Sequence, residues 1–179
     1  MSLQSIIATV LIFIFIGWVN SNTKKKSLHV EVLSDNKKLL KSNVIYGILG
    51  YFTIILFLFF IALGLYLDWD MGENPSILDF VFSGTMILGI LYIAIYLTMY
   101  YYNHRVIYDF NSIIVYNAWG KSKSISWNDI NDVEINNTMK HILIRSKTGE
   151  YVKISSIIYG LESFKMEFAQ HHPFMAQQL

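Results

Sequence analysis

Residues 44–67 read VIYGILGYFTIILFLFFIALGLYL, and residues 77–101 read ILDFVFSGTMILGILYIAIYLTMYY. Each run is about 24 residues long, enough for a helix to cross the ~30 Å hydrocarbon core of a bilayer with some tilt. Only DWDMGENPS, residues 68–76, lies between them. So short a connection makes the two helices an antiparallel hairpin, expected over 44–67 and 77–102. The fold class follows: a membrane α-helical part and, after it, a separate α+β part.

Composition agrees. Of 179 residues, 54% are hydrophobic, 16% aromatic and only 15% charged, whereas soluble domains carry nearer ~25% charge. The net charge of +1 gives no global basic field, so no nucleic-acid partner is expected. Cysteine is absent, which excludes disulfide frameworks, thiolate metal sites and cysteine nucleophiles.

Residues 1–19, MSLQSIIATVLIFIFIGWV, form a third apolar run. No cation precedes it, and Trp18-Val19-Asn20 is a poor cleavage site, so a first transmembrane helix is favoured over a removed signal peptide. Residues 20–43 then carry Lys24, Lys25, Lys26, Lys37, Lys38 and Lys41, whereas residues 68–76 carry Asp68, Asp70 and Glu73 and no cation. Lysine and arginine stay on the cytoplasmic side of short loops. The expected topology has the N-terminus outside, 20–43 as a cytoplasmic basic loop, 68–76 as an external acidic loop, and 103–179 in the cytoplasm. The lysines also suit anionic lipid at about 1 kcal/mol each near a membrane surface. Within this loop, residues 28–32 alternate apolar and polar as a strand does, and are expected to join an edge of the C-terminal sheet. Gly47, Gly50, Gly64, Gly84 and Gly89 are candidates for close helix approach, although no strict GxxxG occurs.

From Arg105 the period changes. Six short strands are expected over 105–110, 112–119, 121–127, 131–136, 141–147 and 151–157, separated by turn residues in an antiparallel meander. Ile125, Trp127, Val133, Ile135, Ile142, Ile144, Val152 and Ile154 fall on the buried faces, with Ser124, Ser126, Lys153 and Ser155 facing out. After Gly160 the period is helical: Leu161, Phe164 and Phe168 share a stripe, and Pro173 stops the helix near His171 and His172. A strongly bent sheet plugged by one amphipathic helix is the expected outcome.

That order of elements resembles the bacterial pleckstrin-homology-like domain. The resemblance rests on RVIYDFNSIIVY (105–116), GKSKSISWNDI (120–130) and GLESF (160–164), and covers about 75 residues. It implies curved antiparallel strands closed by a C-terminal helix, and an interaction scaffold at the bacterial inner membrane rather than a catalyst. The family has seven strands where six are read here, so residues 28–32 supply the seventh or two strands have been merged. Eukaryotic relatives bind phosphoinositides through a long basic loop between the first two strands. Here that turn, Asp109-Phe-Asn-Ser112, has no cation, so that property does not carry over.

Catalytic chemistry finds no foothold in the sequence. None of His29, His104, His141, His171 and His172 is four residues from another, and no HExxH, Walker A, G-x-S-x-G or G-x-G-x-x-G occurs. No catalytic, cofactor-binding or metal residue is assigned, and no cofactor is expected. The candidate contact residues are Lys24, Lys25, Lys26, Lys37, Lys38, Lys121 and Lys123, directed at anionic lipid. The expected partners are the lipid bilayer and a protein in or at the membrane, with a homo-oligomer compatible with the same sequence. The alternative function is a small membrane immunity or stress-tolerance protein that neutralises a toxin at the bilayer.

Overall fold

The computed structural model describes residues 21, 30–33, 36–71, 77–136 and 140–178. The expected first span, 1–19, and Leu28 and His29 lie outside them. The chain forms two compact units, one of strands and a helix, the other a helical hairpin with residues 118–120 attached.

The hairpin consists of α1 (Val44–Met71, 28 residues) and α2 (Ile77–Asn103, 27 residues). Within them, Val44–Gly64 and Gly84–Asn103 are apolar enough to cross a membrane by length and composition. Only 11% and 6% of these windows are buried inside the chain, unlike the mostly buried core helix of a soluble protein. Leu88, Phe52, Ile55, Phe59 and Val81 are among the exposed side chains, a surface that suits lipid rather than water. Two of the glycines hold the helices together. A Cβ on Gly50 would stand 2.6 Å from Thr98 Oγ1, and one on Gly47 would stand 3.0 Å from the Tyr101 ring. Gly64, Gly84 and Gly89 face open space. Tyr46 and Tyr100 close the same end, ring centroids 4.5 Å apart.

The other unit starts before the hairpin. Strand β1 (Glu31–Val32) pairs with β2 (Lys38–Lys41), which pairs with β3 (Arg105–Tyr108), then β4 (Ser112–Tyr116) and β5 (Ser122–Ser126), all antiparallel. A second sheet contains β6 (Ile130–Asn136), β7 (His141–Ser146) and β8 (Tyr151–Ser155). Helix α3 (Leu161–His171) follows, entered through Gly160 at φ 81°, a left-handed conformation that suits glycine.

Here the structure corrects the expected boundaries. Residues 20–43 are not only a loop: Lys38–Lys41 is a full partner of β3, with Lys41 opposite Arg105. The chain therefore leaves the first sheet at Lys41, makes the hairpin, and re-enters the same sheet at Arg105. The unit does not begin at residue 103. The expected strand at 28–32 is observed only as Glu31–Val32, which reaches the sheet through β2. The six strands expected after Arg105 are observed as β3 to β8, and β1 and β2 bring the described strands to eight. The pattern of Lys38-Leu-Leu-Lys41 does not mark a strand, because two adjacent leucines break the alternation of a half-exposed one. Both are buried, Leu39 at 8% and Leu40 at 0% exposure.

Leu40, Val106, Tyr108, Ile113, Val115, Ile125, Val133, Ile142, Ile144, Val152 and Ile154 from the two sheets meet Leu161, Phe164 and Phe168 from α3 in one core. Trp127 ties the unit together. It opens a short 3-10 turn (Trp127–Asp129) between the sheets rather than ending a strand. Its ring packs on Phe164 and Phe168, with centroids at 6.1 and 5.9 Å, and its Nε1–H donates to Asp109 O at 2.7 Å. Ser155, expected to face out, is buried instead. Its Oγ accepts the Ile157 N–H at 3.2 Å and shapes the exit from β8.

Candidate interaction surface at the seam between the sheets

Strand β5 is the last of its sheet and β8 the last of the other, so each has a single ladder partner and one open edge. The two edges line one groove of ≈ 230 Å³, bounded by Ser122, Lys123, Ser124 and Ile125 on one side and Glu150, Tyr151 and Val152 on the other.

The side chains explain why this seam stays open. Lys123 shares a face with Ile125, the core face, because residues two apart on a strand point the same way. Ile125 is buried, whereas Lys123 stands at the exposed rim. Instead of reaching inward, its Nζ lies 4.7 Å from the centroid of the Tyr151 ring. Lys153 approaches the same ring, with Nζ 5.5 Å from the centroid. Two ammonium groups on one tyrosine are held by the negative face of the ring. Val152 and Ile154, on the opposite face of β8, go into the core.

The cations of the unit divide into two groups. Lys38 pairs with Glu167, Lys41 with Glu31, Lys165 with Glu162, and Arg145 with Asp132 and Glu134 at 2.9 and 3.1 Å. Among the described residues, Lys37, Arg105, Lys121, Lys123, Lys140, Lys147 and Lys153 have no carboxylate within ion-pair distance. Lys38 was expected at lipid; the structure ties it to α3 through Glu167 and sets it 5.8 Å from the Tyr108 ring centroid. Lys37 is exposed beside the turn from β1 to β2. Lys24, Lys25 and Lys26 lie outside the described residues. Of the sequence candidates, the structure brings Lys123 to the groove, with Lys121 just before the strand. Tyr151 and Lys153 were missed. Their alternation marks an exposed strand face, but nothing local in the sequence places that face beside β5.

The two adjacent histidines serve packing. The His171 ring stacks on Trp127 at 4.5 Å with planes 8° apart, and His172 Nε2 lies 2.8 Å from Trp127 O, where an Nε2–H donates. Among the described residues, no three His, Asp or Glu side chains gather where a metal ion would sit.

In the hairpin unit, Asn103 Nδ2 donates to Ala118 O at 2.8 Å, and Trp119 meets Tyr96 edge-on at 6.5 Å. Tyr92, Tyr96 and Tyr100 follow one another along α2, and His104 just past its end continues the column, with ring centroids 6.4, 6.0 and 4.4 Å apart. Such a column suits the polar boundary of a bilayer, where tyrosine and tryptophan concentrate. No protein-family model, curated protein or solved structure matches the chain.

Proposed function

We propose that the chain is a non-catalytic integral protein of the bacterial inner membrane. In this reading its strands and closing helix form a pleckstrin-homology-like domain at the cytoplasmic face, which holds a protein or lipid partner there. The observation that carries it is the pairing of β2 with β3. With β1 and β2 counted, the described strands are eight, five in one sheet and three in the other, one more than the family's seven; the antiparallel order followed by a C-terminal helix is what supports the resemblance. Residues on both sides of the apolar hairpin belong to one sheet, so both must lie on one side of the membrane. The lysines of 20–43, against the acids of 68–76, favour the cytoplasmic side. A domain so held meets any partner in the same membrane at raised effective concentration.

Two measurements test this. A fluorescent-protein fusion after Leu179 should be active, and alkaline phosphatase inserted in 72–76 should be active; the reverse pattern rejects the location. In-membrane crosslinking with the whole chain should retain a partner that the hairpin alone, residues 44–104, does not. Identical crosslinks from both would remove the role from the strand unit.

A further inference from the structure

The seam combines two strand edges that each lack a second ladder partner, a tyrosine approached by Lys123 from the groove lining and by Lys153 from beside it, and exposed serine side chains at Ser122 and Ser124. Its ≈ 230 Å³ is below the ~300–1,000 Å³ of ordinary small-molecule sites, so the groove suits a segment laid across it better than an enclosed ligand. Open edges present rows of backbone donors and acceptors that an added strand can use. A lipid headgroup would meet the lysines but leave those rows idle. We infer that the seam between β5 and β8 receives an extended, acidic segment of a partner protein, which adds to an open edge and sets carboxylates against Lys123 and Lys153.

The inference rests on the interaction reading above and names the partner's chemistry. Lysines on an open edge also repel basic or edge-to-edge partners, so the same side chains exclude one class of strand while admitting another. Glu150 lines the same groove and restricts where the partner's carboxylates stand: toward the Lys123–Tyr151–Lys153 side.

The test uses the full chain in nanodiscs of neutral phosphatidylcholine and a random ten-residue peptide library, selected in parallel against the chain and against Lys123→Gln/Lys153→Gln. Both lysines are exposed, and unchanged thermal unfolding of the double variant confirms its fold. Selected peptides are expected to be enriched in Asp and Glu at every second position. They should lose at least tenfold in affinity for the double variant, and a similar amount when their backbone is N-methylated. No enrichment over the double variant, or peptides without acidic enrichment, would overturn the assignment. Binding to phosphatidylglycerol vesicles that the double variant loses, with no peptide selected, would assign the groove to lipid and equally overturn it. If the seam fails while crosslinking still captures a partner through the strand unit, the interaction reading stands without this site.

Discussion

Tyr108 is 1% exposed in the core, and among the described residues its hydroxyl has no hydrogen-bond partner. Burial first, and then the negative charge of Glu167, hold its pKa far above the usual tyrosine range. A raised folded value means that the fold favours the neutral phenol. The associated stability is whole below the unfolded value of about 10 and is lost as pH climbs toward the folded one. Tyr108→Phe should therefore change stability by no more than about 1 kcal/mol at neutral pH, in either direction, since it removes an orphaned polar group. It should also flatten the alkaline fall; thermal unfolding of the solubilised chain from pH 7 to 11 reads both. Lys38, 5.8 Å from the same ring centroid, is set for the opposite outcome. Its side chain is 37% exposed and that of Glu167 18%, so Lys38→Met should cost about 1 kcal/mol by stranding a half-buried carboxylate. Adding Glu167→Met should recover part of that loss, and a double-mutant cycle isolates the coupling.

At the scale of elements, the hairpin depends on backbone approach at one end. Gly50→Val would force a side chain onto Thr98, and the resulting separation of α1 from α2 should lower the thermal stability of the hairpin in detergent. Gly89→Val, facing open space, should leave it within about 0.5 kcal/mol of the parent. Equal effects would reject this view of the packing. The spacing of glycines in the sequence does not separate these positions, because the distinction lies in which face meets the other helix. The C-terminal elements were more legible. Leu161, Phe164 and Phe168 at helical spacing identify the buried stripe of α3, and the alternation in β7 and β8 identifies their core faces. The sequence pattern at Trp127 fits the end of a strand as well as a turn, since its burial suits either. Only its carbonyl and Nε1 partners reveal the corner.

For the whole molecule, the paired residues Lys41 and Arg105 make the helices an insertion into a sheet. Local pattern cannot disclose that, since the partner strand is separated by the full length of the hairpin. Residues 30–43 joined through Gly-Gly to 105–179 should therefore give a water-soluble folded unit, whereas 103–179 alone should aggregate or remain unfolded. Circular dichroism and amide dispersion in NMR spectra distinguish the two. Two folded fragments would show β2 to be dispensable. The insertion also has a bearing on biogenesis. If the helices enter the membrane as proposed, β2 is made before them and meets β3 only after both have been threaded into the lipid and Arg105 has followed them out. Correct threading brings the two strand ends together and shortens the loop that must close. On the proposed membrane reading, a chain whose helices fail to insert would keep β2 from β3 and leave the pair Leu39 and Leu40 uncovered, which makes insertion a precondition for assembly of the sheet.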